Sequence, residues 1–274
     1  MPSLLDSLLD QLTRLWKTPH APRTKRAFRC DCGRPVFFRN SQCLGCNAPL
    51  GYEPVLGELR KLQPGSGPGT WRLTGNDSRL QDYRRCANFD SPAGCNWLVP
   101  EDAPSTLCVA CCLNRTLPDL EDSDNQRYWR SVEAAKRRLI SQLLALELPV
   151  ESRMENPEQG LAFDILRSPA EGPRVLTGHS NGLITLNLEE ADDARREEIR
   201  KALHEPYRTL LGHFRHEIGH YYWDRLVRDT SWLEPFRALF GDERADYAEA
   251  IKNHYENGPP LDWADHHISS DAST

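Results

Sequence analysis

Residues 212–226 read GHFRHEIGHYYWDRL and contain His216-Glu217-Ile218-Gly219-His220. On a helix, His216 and His220 lie one turn apart on one face, close enough to share a single metal ion. Glu217, one position round the helix, reaches a metal-bound water without being a ligand itself. Hydrolysis needs this division of labour. Zinc acts as Lewis acid and lowers the pKa of the water; the carboxylate takes its proton and returns it to a leaving amine. His213 falls on the same face one turn earlier and is read as a neighbour, not a ligand. Asp224, one turn past His220, is either a partner of the site or an exposed helix charge. Gly219 costs helix stability, about 1 kcal/mol against alanine, and so predicts another backbone packed closely beside the metal.

Nine cysteines bring a second chemistry. Cys30-Asp31-Cys32 is followed by Cys43-Leu44-Gly45-Cys46, and later come Cys86, Cys95 and Cys108-Val109-Ala110-Cys111. Two thiolates on one tight turn can bind the same tetrahedral zinc, and two such turns complete four ligands. The spacing predicts one structural zinc on Cys30, Cys32, Cys43 and Cys46, and a second on Cys86, Cys95, Cys108 and Cys111. A closed four-cysteine site leaves no open position for substrate, so both zincs are staples. Cys112 is either a substitute for Cys111 or a buried free thiol. Asp6 and Asp10 interrupt the N-terminal leucines, so no secretory signal is expected. Disulfides are then the weaker reading, and a cytoplasmic location is expected.

These groups must be positioned by elements that the pattern outlines. HEPYRTLLGHFRHEIGHYYWDRLV (204–227) fits one long helix, with Pro206 in its first turn. Residues 126–148 have helical spacing through Trp129, Val132, Leu139, Ile140, Leu143 and Leu146, ended by Pro149. AKRR within it is read as a solvated face. GLAFDILRS and RVLTGHSNGLITLNL predict β segments around a Gly/Asn turn, and the alternation in GLITLNL predicts a strand with one buried face. EEADDARREEIRKAL begins another helix. The cysteine-rich stretch has the short strand PVFFRN and a break at QPGSGPGT (63–70), and offers little apolar core, so metal is expected to supply much of its folding energy. SLLDSLLDQLTRLW (3–16) places leucines on one helical face, for packing on its own domain or for docking a partner or second copy.

Composition excludes some classes. The 274-residue chain is 39% hydrophobic, enough for a core, and its net charge of −6 argues against a dedicated nucleic-acid binder. No apolar run is long enough to span a bilayer. The expected partner is a protein or peptide substrate, with self-association or a protein partner through the leucine helix, and with no membrane.

Taken in order, CDCGRPVFFRNSQCLGC, CNWLVP, AKRRL, GLAFDIL, TGHSNGLITLN, EADD, EPYRTLLGHFRHEIGHYYWDRLV, FGDERADY and HYENGPP resemble the zinc-binding metallopeptidases that carry an N-terminal zinc ribbon. The resemblance covers nearly the whole chain. It implies an α+β fold: a zinc-ribbon region, then a zincin-like domain with a short sheet against the HEIGH helix. It assigns His216 and His220 as ligands and Glu217 as base, and places GLITLNL like the edge strand that pairs with substrate in zincins. In this family an aromatic residue and an acidic stretch follow the ISS segment and look like the source of the third ligand. Here the sequence reads ISSDAST, with Asp271 at the aromatic position. The expectation is therefore a C-terminally short form, with Glu243 in FGDERADY as the internal candidate for third ligand. Asp246, Glu249, His254, His266 and His267 are weaker ones. The domains expected are 1–26 (amphipathic helix and linker), 27–118 (zinc ribbon, two sites) and 119–274 (zincin-like HExxH domain). Two functions follow: a zinc metallopeptidase, or a catalytically incomplete zincin-fold protein acting as a zinc-ribbon protein-binding module.

Overall fold

The computed structural model describes residues 27–75, 81–202 and 208–258. The leucine helix at 3–16, His266, His267 and the ISSDAST segment lie outside the described residues. The chain divides into two compact units, Met1–Ile218 and Gly219–Thr274.

The described part of the first unit opens with a two-stranded antiparallel hairpin, β1 (Ala27–Arg29) and β2 (Pro35–Phe37). A five-stranded sheet follows: β3 (Leu50–Glu53), β4 (Glu58–Pro64), β5 (Trp71–Leu73), β6 (Tyr83–Arg85) and β7 (Leu98–Pro100), each antiparallel to the next. This sheet corrects two expectations. Within the stretch 63–70, Gln63 and Pro64 end β4 and residues 65–70 form a closed turn to β5, where Gly65 N–H donates to Thr70 O at 2.9 Å and the Asp82 carboxylate accepts from Ser66 N–H at 2.7 Å. The region also has a real apolar core. Leu50 and Trp97 are fully buried, and Tyr52 packs edge-on against Phe38 and tilted against Trp97, with ring centroids 4.7 and 4.9 Å apart. The sequence signal was weak because these apolar residues are scattered singly among Gly, Pro and Arg.

A second sheet has the order β10-β11-β9-β8, from β8 (Asn114–Thr116), β9 (Ala162–Leu166), β10 (Gly178–Ser180) and β11 (Leu183–Asn187). β8 and β11 flank β9 in parallel, and β10 folds back antiparallel on β11. The β10–β11 turn is Asn181-Gly182, with φ of 46° and 80°. This left-handed pair matches the twist of a two-residue hairpin. GLITLNL therefore runs inside the sheet, and β10 takes the edge. Ile184 and Leu186 are buried and alternate with half-buried neighbours, as the sequence pattern requires.

Helix α1 (Ser123–Ala145) crosses between β8 and β9. Asp122 caps it, accepting from the backbone N–H of Asp124 and Asn125 at 2.7 and 3.2 Å. The helix stops at Leu146, before Pro149, because Glu147 turns left-handed at φ 56°. Its buried row includes Trp129, Val132, Leu139, Ile140 and Leu143, while Leu146 is exposed. Lys136 and Arg137 belong to the buried row too, which corrects the reading of AKRR as solvated. Helix α2 (Asp193–Ala202) follows a 3-10 turn, Leu188–Ala191. Helix α3 (Leu210–Leu226) carries HEIGH, and Phe214 packs edge-on against Phe163 of β9 at 5.7 Å.

The second unit contains the rest of α3, then α4 (Leu233–Phe240) and α5 (Tyr247–Asn257). Trp223, Phe236 and Phe240 form its aromatic row, with successive ring centroids 6.1 and 4.9 Å apart. Among the described residues, no helix is long and apolar enough to cross a membrane.

Candidate metal centres

The eight cysteines assigned to zinc fall into the two expected quartets. In each, the four Sγ atoms lie within 4.8 Å of one another. A tetrahedron with zinc–sulfur bonds of about 2.3 Å has edges of about 3.8 Å. The sulfur separations agree: 3.7 Å for Cys30–Cys46, 3.6 Å for Cys32–Cys43 and 3.7 Å for Cys95–Cys108. The donor set and its spacing thus fit zinc, and none of the nine cysteines is bridged.

The first quartet is built on two knuckles. Cys30 and Cys32 lie on the β1–β2 turn, where Gly33 adopts φ 84° and donates its N–H to Cys30 O at 2.8 Å. A side chain at this left-handed position would strain the turn. Cys43 and Cys46 sit on a second turn closed by Asn47 N–H to Cys43 O at 2.8 Å. Cys30 and Cys43 are buried, Cys32 and Cys46 exposed.

The second quartet is buried at all four residues. The long interval between Cys86 and Cys95 is spanned by a 3-10 turn, Ala87–Phe89, and closed by Cys95 N–H to Asn88 O at 3.0 Å. Cys108 N–H points at Cys86 Sγ, 3.3 Å away. Cys112 stands outside the quartet, its Sγ 3.3 Å from Ser105 Oγ and 3.4 Å from Leu107 O.

Helix α3 carries His216, Glu217 and His220. The two histidines are exposed, and Glu217 is buried at 9% exposure. A Cβ built on Gly219 meets nothing within 4 Å, so no neighbouring backbone among the described residues explains that glycine. His213 turns to Glu190, with which its Nδ1 forms an ion pair, and Thr177 Oγ1 donates to the same carboxylate. Burial pushes the Glu190 carboxyl up, but His213, Thr177 and Arg208 outweigh it and hold the group below its usual range. This link between α3 and the 3-10 turn Leu188–Ala191 is not evident in the sequence, because Glu190 reads as one acid among many in EEADD. Asp224 pairs with Arg228 at 2.8 Å. Glu243 is gripped by Arg237 through two contacts of 2.9 and 2.6 Å, which keep its carboxyl below the ordinary range. Asp246 caps α5, accepting from the N–H groups of Ala248 and Glu249. Among the described residues, no third side chain completes a ligand set with His216 and His220.

A family profile described as "Putative zinc-binding metallo-peptidase" matches residues 125–274, and a zinc-ribbon domain profile matches 27–122. Uncharacterized protein Rv2568c of Mycobacterium tuberculosis H37Rv is 44% identical over 250 residues, covering 90% of this chain and 68% of its own. Uncharacterized protein Mb2598c of Mycobacterium bovis matches with the same identity and coverage. No solved structure matches the chain. The chain belongs to this zinc-binding metallopeptidase family and carries the zinc ribbon at its N-terminal side.

Proposed function

We propose that the chain is a zincin-like metallopeptidase that hydrolyses peptide bonds, with Glu217 as general base and His216 and His220 holding the catalytic zinc. The observation that supports this reading is that both histidines are exposed and one turn apart on one helix, with Glu217 next to His216 in the chain and buried. Zinc held there would supply Lewis acidity and make a water at the site a stronger acid. Glu217 would accept the proton of the attacking water and deliver it to the nitrogen of the leaving amine. A working site needs a third protein ligand. Glu243, once released from Arg237, or a group beyond the described residues would provide it. In this reading residues 27–118 form the ribbon with two structural zincs, residues 119–274 form the peptidase domain, and the substrate is a protein or peptide in the cytoplasm.

The test is Glu217→Gln. Peptide hydrolysis by the purified chain is expected to fall by at least about 100-fold, the scale of general-base contributions, while bound zinc is unchanged. Unchanged turnover would remove Glu217 from the reaction. One observation favours a second reading, a catalytically incomplete zincin-fold protein that binds a protein partner: Glu243 is already committed to Arg237. That reading predicts no zinc-dependent cleavage in either the parent chain or the variant.

A further inference from the structure

The second cysteine quartet carries a charge problem that the first does not. Zinc with four thiolates has two units of net negative charge. The first quartet shares this charge with solvent through Cys32 and Cys46, whereas every cysteine of the second is buried. A buried charge needs compensation nearby. Helix α1 turns a charged row towards the second quartet: Glu133 and Lys136 are fully buried and Arg137 is 4% exposed. Glu133 Oε2 lies 4.0 Å from Cys111 Sγ, and Lys136 Nζ donates to Glu133 Oε1 at 2.6 Å and to Asn114 Oδ1. Arg137 donates through Nη2 to Ala93 O at 3.0 Å, in the loop that leads into Cys95. Its Nη1 is buried with no hydrogen-bond acceptor and lies 3.9 Å from Glu133 Oε2. Arg130, about two turns before the basic pair, holds Pro92 O in the same loop at 2.9 Å.

We infer that Lys136 and Arg137 are charge-compensating residues of the second zinc site. The zinc ribbon and the first helix of the peptidase segment thereby become one metal-linked unit. The inference rests on zinc occupying that quartet. The buried pair supplies two positive charges and Glu133 removes one, so the site retains its metal through a small balance held on α1. Glu133 earns its place as the bridge that fixes both cations. Its own charge opposes thiolate, and that sign separates electrostatics from mere packing.

The experiment is timed alkylation of the zinc-loaded chain under a chelator, read at each cysteine by peptide mass. In the parent chain, zinc is expected to slow labelling of both quartets. Lys136→Met keeps the apolar stem and removes the charge; it is expected to speed labelling of Cys86, Cys95, Cys108 and Cys111 about tenfold or more and to leave the first quartet unchanged. Glu133→Gln keeps the acceptor for Lys136 and removes the opposing charge, so it is expected to slow labelling of the second quartet. Opposite effects support compensation. Faster labelling in both variants assigns the network a packing role and overturns the inference, as does Lys136→Met at the parent rate. Should Lys136→Met not fold, Glu133→Gln decides alone: slower labelling supports the inference, and equal or faster labelling overturns it. If the parent's second quartet is labelled alike with and without zinc, the metal assignment fails and takes the inference with it, while the assignment of Glu217 stands apart.

Discussion

At the scale of single residues, the molecule's chemistry rests on two geometries: His216 and His220 on one helix, and eight cysteine sulfurs in two four-atom clusters. HEIGH and the cysteine pairs were legible because their chemistry depends on intervals of two to five positions, which a helix or tight turn converts directly into proximity. Lys136 and Arg137 were not legible. Lysine and arginine are almost always solvated unless paired, and their partners here, Asn114 and Ala93, come from the ribbon side of the chain. The Glu190–His213 pair was hidden because Glu190 is one acid among several in EEADD and its partner lies on another element. It makes a prediction of its own. A carboxyl whose pKa is lowered by folding contributes stability above its unfolded value, about 4.3 for glutamate, and loses it as pH falls through the folded value. Glu190→Gln should therefore be less stable than the parent at neutral pH, and the two should converge in acid. Urea midpoints followed from about pH 7 to about pH 3 would show this convergence; parallel curves would show that the pair contributes no folding-linked charge.

At the scale of elements, the helical periods of 126–148 and of the HEIGH segment form helices, while caps and distant partners set their boundaries and neighbours. The 126–148 pattern became Ser123–Ala145 because an Asp cap and a left-handed Glu147 set its ends. The hairpin at Asn181-Gly182 was evident from its turn chemistry. Which of its two strands takes the outside was not, since that depends on β9 pairing with β11 from a distant part of the chain. Gly219 marks another limit: the expected close backbone is absent among the described residues. Gly219→Ala should accordingly stabilise α3, by about 0.5–1 kcal/mol in thermal or urea unfolding. A loss of stability would reveal a neighbour that packs on that face. Unchanged stability with lost hydrolysis would mark the glycine as room for substrate.

At the scale of the whole molecule, metal content tests the reading most directly. The proposal counts three zincs on the purified chain and two in a variant combining His216→Ala with His220→Ala, measured by elemental analysis. Two zincs in both would leave the cysteine quartets as the filled sites and make the binding-module reading the better one. The sequence suggested separate ribbon and peptidase parts, and the family profiles do meet between residues 122 and 125. Backbone hydrogen bonds disregard that boundary. β8 comes from the ribbon side yet forms the outer strand beside β9, with Phe163 N–H donating to Leu113 O at 2.8 Å and Arg115 paired with Asp164.

This shared strand also sets an order of events during synthesis. A ribosome makes β8 and α1 before β9, so the strand that must pair in parallel meets an edge and a covering helix that already exist. Parallel pairing is slow when its partners are far apart in the chain. Here the N-terminal segment serves β9 as a template.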